Sequence, residues 1–97
     1  MFGDMMGQMQ DMQAKMQEKL REQEFTESAG GDLIHVTVNG VREVTNISID
    51  PSLLGGDDAE AIEDMLVVAT NRALIKAAQA EAAEGQSLIQ GMLPGMG

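Results

Sequence analysis

Six Lys and Arg side chains are all that this 97-residue chain offers to an anion, and most of them fall into two groups with helical spacing. Lys15 and Lys19 stand four apart with Arg21 close behind, and Arg72 and Lys76 repeat the four-residue step that puts neighbours on one helix face. Cations one turn apart can meet phosphates of a nucleic-acid backbone, contacts that position a protein without reading its bases. The competing account is a solvated face. Asp11 to Lys15, Lys15 to Glu18 and Glu18 to Arg21 have ion-pair spacing, each pair worth only about 0.3 kcal/mol. Arg42 falls on an exposed hairpin loop and reads as loop chemistry.

Other chemistry finds little support. His35 is the one histidine and cysteine is absent, so neither an imidazole cluster nor a thiolate site can form. Asp57, Asp58, Glu60, Glu63 and Asp64 lack the alternating ligands and central glycine of a calcium loop, and helix capping explains them better. Gly30-Gly31 and Gly55-Gly56 do not continue into a phosphate-cradling pattern. No nucleophile and base can be paired, so no enzyme activity, cofactor or metal is expected.

The charge balance limits the cationic reading. Acidic residues number 16, the net charge is −10, and no third of the chain is basic. Binding by counterion release needs several cations presented together. Phe2 and Phe25 are the only aromatic residues, which leaves almost nothing for bases of a single strand to stack on.

The elements that must position these residues follow from periodicity. Phe2, Met5, Met9, Met12, Met16 and Leu20 step by three or four, which predicts a helix over 4–23 with a narrow apolar seam suited to a coiled-coil-like contact. Its methionines make that seam adaptable. Phe25 to Ser28 reads as a short edge strand. Residues 33–39 and 43–50 alternate apolar and polar and form a hairpin of half-buried strands, with His35 on the face opposite Ile34 and Val36.

A two-residue Asn39-Gly40 turn would pair Val36 with Glu43; a four-residue loop, Asn39 to Arg42, would pair Val36 with Thr45 and Ile34 with Ile47. The second sets more apolar residues opposite one another and is preferred. Asp50-Pro51 ends the strand. Asp57 with Glu60 three residues on resembles a capping box, predicting a helix from Asp58 to about Glu84, with Gly85 as its stop. Ile62, Leu66, Ala69, Ala73, Ala77 and Ala80 form its main stripe, and Met65, Val68, Leu74 and Ile75 widen it.

One hairpin cannot cover so much apolar surface. A single domain over 1–90 with a tail over 91–97 is expected, stabilised by pairing with a second copy, since small cores often need such support. Neither an export signal nor a membrane span is visible, so a cytoplasmic chain without membrane contact is expected.

Several stretches together resemble a known family. They are MMGQMQDMQAKMQEKL, SAGGDLIHVTVNG at 28–40, EVTNISIDPSLL at 43–54, the acidic start DDAEAIEDMLVVATNRALIKAAQ, and GMLPGM near the end. Across nearly its whole length the chain is similar to the YbaB/EbfC family of bacterial nucleoid-associated proteins. Asp32 stands where a third glycine is common, and Val41-Arg42 where Lys-Gly is more usual.

The resemblance implies an α+β fold, α-β-β-β-α, with long N- and C-terminal helices around a small antiparallel sheet. It implies a tweezer-like homodimer that engages DNA in the nucleoid. DNA contacts are then expected from Lys15, Lys19, Arg21, Arg72 and Lys76, in clamps at the helix tips. The dimer interface is expected at Met9, Met12, Met16, Ile34, Val36, Ile47, Met65, Leu66 and Val68. Backbone contacts with weak sequence selectivity are the expected mode. The rival expectation is an interaction module whose methionine seam or acidic long helix docks a DNA-processing protein.

Overall fold

The structure, a computed structural model, describes residues 2–91. In chain order the elements are α1 (Phe2–Glu22), β1 (Glu24–Ala29), β2 (Ile34–Asn39), β3 (Val44–Ile49), a short α2 (Pro51–Leu54) and α3 (Ala59–Gly91). This is the α+β arrangement expected, with α2 added. Of the termini, the tail expected over 91–97 lies outside the described residues after Gly91, and Gly91 itself is helical.

The three strands form one antiparallel sheet in the order β1-β2-β3. Ile34, Val36 and Val38 of β2 point to one face and have no exposed surface. α3 packs across that face over β1 and β2, presenting Ala69, Ala73 and Ala77, each without exposed surface. Alanine lets the helix backbone come close to the sheet, and the fully buried valine and isoleucine side chains fill the layer between.

The hairpin corrects both proposed registers. Val36 pairs with Ile47 and Ile34 with Ile49, so every apolar residue of β2 opposes one on β3. The turn is a three-residue loop: the Asn39 amide donates to the Glu43 carbonyl (2.9 Å), and the Arg42 amide to the Asn39 carbonyl (3.0 Å). Such loops end in a left-handed residue, and Arg42 takes that place with φ 67°. A three-residue loop alone would turn Ile47 and Ile49 to the wrong face. The irregularity between Thr37 and Val38, where Val38 pairs with Val44 and Thr37 with Asn46, leaves Thr45 as an extra residue and restores the alternation.

Asp32, with φ 68°, is the other non-glycine residue at positive φ. Both strained positions are those at which the resemblance expects glycine. Asp32 is held there by the Ser28 hydroxyl, which donates to its carboxylate (2.9 Å).

Three further expectations change. Asp58, not Asp57, caps α3: the Ala61 amide donates to its carboxylate at 3.1 Å. α3 continues through Gly85 to Gly91, because a lone glycine between Glu84 and Gln86 costs a helix about 1 kcal/mol without forbidding it. α2 begins at Pro51, with Asp50 as its cap, where Pro51 had been read only as the end of a strand.

Two helical arms project beyond the sheet. The radius of gyration is 18.7 Å and the extents are 64 × 28 × 17 Å, whereas a compact domain of this length would have a radius near ~12.5 Å. The arms are α1 and the last part of α3. α1 is fixed at one end, where Leu20 is fully buried and its carbonyl accepts from the Gly40 amide at 2.8 Å. A Cβ on Gly40 would stand 2.4 Å from that carbonyl oxygen, so only glycine permits the approach.

Candidate nucleic-acid interface

Lys19 and Arg21 sit in the last turn of α1, where the helix dipole favours positive charge. From there Lys19 Nζ reaches Glu84 Oε2 on α3 at 3.1 Å, and Arg21 Nε reaches Glu43 Oε1 at the hairpin turn at 3.5 Å. Arg42, the left-handed residue that ends the turn, places Nη2 3.2 Å from Glu81 Oε2 on α3. The ion pairs expected within α1 give way to pairs between elements among the described residues.

These three pairs form a row. Glu81 and Glu84 lie one turn apart on α3, Arg42 and Glu43 are adjacent in the turn, and Lys19 and Arg21 share the end of α1. All three cations keep more than half of their side-chain surface exposed. Lys15 lies one turn further out along α1, exposed and without an ion pair among the described residues.

Arg72 and Lys76 occupy a different place. They project from the middle of α3 over the β1 edge, not from a helix tip as expected. Arg72 Nη1 donates to the Ser28 carbonyl at 3.1 Å, and Lys76 is paired with Glu27. The hydrogen bond from Lys76, then the charges of Lys76 and Arg72, hold the Glu27 carboxyl below its usual value. The structure therefore does not gather the five expected DNA contacts into one patch. It collects Lys15, Lys19 and Arg21 at the junction of α1 with the body, adds Arg42, and leaves Arg72 and Lys76 on the sheet flank. Periodicity finds the helical cations; Arg42 joins them only through the folding of the hairpin against α1 and α3.

The apolar residues expected at an interface divide likewise. Ile34 and Val36 have no accessible surface because the protomer's own α3 covers them, so they belong to its core. Met65 and Leu66 are half-buried against that core. Met9, Met12, Ile47 and Val68 are exposed, and Met16 is half-buried. β3 is far less buried than an alternating strand predicts: Ile47 is 50% and Val44 49% exposed, because α3 lies over β1 and β2 and leaves the β3 side of that same face open. Met12, Lys15, Met16 and Lys19 line an open groove of about 390 Å³ whose far wall carries Glu84 and Ser87. His35 is half-buried on the opposite sheet face, as expected from alternation.

Among the described residues no group of three or more His, Asp or Glu could hold a metal ion, and no helix is long and apolar enough to cross a membrane.

Comparisons with known proteins extend over the whole of this architecture. The model of the YbaB/EbfC DNA-binding family matches residues 1–92. A nucleoid-associated protein of Clostridium novyi is 39% identical, over 98% of this chain and 87% of the relative. One of Pseudomonas fluorescens is 43% identical over 88% of this chain and 79% of the relative, and one of Chlorobium phaeobacteroides 41% over 97% and 86%. An uncharacterized protein from Helicobacter pylori, known from its crystal structure, superposes with a TM-score of 0.69. It is 27% identical, and the match covers 94% of this chain and 91% of that one.

Proposed function

The chain belongs to the YbaB/EbfC DNA-binding family, and on that footing we propose that it acts as a homodimer that holds duplex DNA on the bacterial nucleoid mainly through phosphate contacts, with weak sequence selectivity. The observation that carries the reading is the match over residues 1–92, joined to an exposed group of cations at the base of α1. Relatives are named nucleoid-associated proteins, which supports the same location for this chain.

The contact mode follows from what the surface offers. Lys15, Lys19 and Arg21 stand on one helical arm, and Arg72 and Lys76 on the sheet flank; a two-fold axis doubles each group. Cations of this kind meet phosphates, and such contacts carry no sequence information by themselves. The dimer is supported by the apolar side chains of β3 that α3 does not reach, Val44 and Ile47, and by the methionines of α1, which a second copy would take out of water.

A fluorescence-polarisation titration of a duplex over a salt series, with mass in solution measured by light scattering, tests both parts. A dimer engaging about four phosphates should lose affinity with a log–log slope of about −3.6. Absence of binding at low salt, or binding indifferent to salt, overturns the DNA reading. A folded monomer at micromolar concentration overturns the dimer.

The net charge of −10 and the methionine-lined groove favour a second reading, an interaction module for a DNA-processing protein with little DNA affinity of its own. Replacing Lys15, Lys19 and Arg21 together by glutamine separates them: DNA affinity should collapse, whereas partner capture through Met9, Met12 and Met16 should persist.

A further inference from the structure

We propose that the junction of α1, the β2–β3 turn and α3 is a phosphate-binding surface held in a self-paired state, in which Glu84, Glu43 and Glu81 occupy Lys19, Arg21 and Arg42 until a DNA phosphate displaces them. The inference rests on the DNA-binding reading above and adds to it a contact, Arg42, and a competitor, the three glutamates.

Geometry carries the argument. Each of the three cations is paired with a carboxylate from another element, at 3.1, 3.5 and 3.2 Å, and each remains more than half exposed. Exposed ion pairs in high dielectric are weak and easily exchanged. A duplex phosphate offers the same anionic oxygens and gains in addition from counterion release. Arg42 suits the exchange because it stands on the turn between the strands with 55% of its side-chain surface open to water. A chain with 16 acidic and 6 basic residues meets DNA only where the few cations are concentrated, and self-pairing then sets how much salt or phosphate is needed to release them.

The flank pair behaves differently. Lys76 and Arg72 tie α3 to β1 through Glu27 and the Ser28 carbonyl, contacts that hold the helix on its sheet.

The test compares two double substitutions that remove equal charge. Glu81→Gln with Glu84→Gln uncovers junction cations, while Glu60→Gln with Glu63→Gln changes the exposed start of α3, remote from the junction. Polarisation titrations of a labelled duplex at about 50 mM salt should show the junction pair binding at least about fivefold tighter than the remote pair. Arg42→Gly, which keeps the left-handed turn comfortable, should weaken wild-type binding at least about threefold. In the Glu81→Gln/Glu84→Gln background it should remove the part of the gain that Arg42 supplies and leave the part due to Lys19, and Arg42→Lys should restore most of the loss.

Equal effects of the two glutamine pairs, or wild-type affinity in Arg42→Gly, overturn the inference while leaving DNA binding intact. If no variant binds, the junction pair included, both readings fall. If the junction pair gains a binding that the wild type lacks, the self-paired state stands.

Discussion

α1 and the middle of α3 are built on the same helical spacing of apolar residues, yet their fates in the protomer are opposite. Ala69, Ala73 and Ala77 of α3 have no exposed surface, while Met5 and Met9 of α1 lie largely in water and Met12 is 40% exposed. Residue size accounts for part of this. Alanine brings a helix down onto a sheet whose valine and isoleucine side chains already fill the space, and methionine reaches outward to meet a surface supplied from elsewhere. Period alone identifies a helix and its apolar face. What covers that face depends on the geometry of attachment, and α1 is attached only near Leu20.

The contrast is sharpest in stability. Ile34→Ala should cost about 2–5 kcal/mol at any protein concentration, because the cavity lies within one subunit. Met9→Ala, at a site 62% exposed, should change the stability of the isolated protomer by less than about 0.5 kcal/mol. Denaturant melts at two concentrations at least a hundredfold apart read both values, and an effect of Met9→Ala that grows with concentration would locate the seam within an assembly. Equal costs at both sites and both concentrations would erase the distinction between the arm and the core.

Gly40→Ala probes the attachment itself. With the new Cβ 2.4 Å from the Leu20 carbonyl oxygen, it should cost about 1–3 kcal/mol. Hydrogen exchange should show the loss confined to α1 amides, with β2 and the Ala69–Ala77 stretch of α3 still protected. Protection lost evenly over the whole chain would mean that arm and body fold as one unit.

The smallest effect concerns acid. Lys76 and Arg72 hold the Glu27 carboxyl below its usual value, so its contribution to stability is complete above the unfolded glutamate value, near ~4.3, and fades as pH falls through the lower folded value. Glu27→Gln should flatten that part of the stability profile. The same decline from Asp50, whose carboxyl is lowered by hydrogen bonds from Ser52, should remain. An unchanged acid limb in Glu27→Gln would show that the α3–β1 flank adds nothing.

Much of this organisation was legible from residue spacing, in proportion to how local its causes are. The alanine stripe marked the buried face of α3, and alternation placed Ile34, Val36 and His35 on their correct faces. The hairpin register was missed although the criterion was right. Matching apolar residues pointed toward later pairing, but Arg42 in a left-handed conformation and the extra residue at Thr45 lay outside an even-numbered loop. Gly85 and Asp57 misled because single-residue signals compete with their neighbours, and Asp58 made the better cap. Of the candidate site, the helical cations were visible and their partners were not. Glu84 is 65 residues from Lys19, and only the tertiary fold brings them together.

The close approach of Gly40 to Leu20 makes α1 a lever with a short, stiff pivot. From Leu20 to Met5 the helix extends about 22 Å, so a rotation of about ten degrees at the pivot sweeps the far end through about 4 Å. Adjustments smaller than a bond length at Gly40 are thereby magnified into a displacement of several ångströms at the far end of the arm.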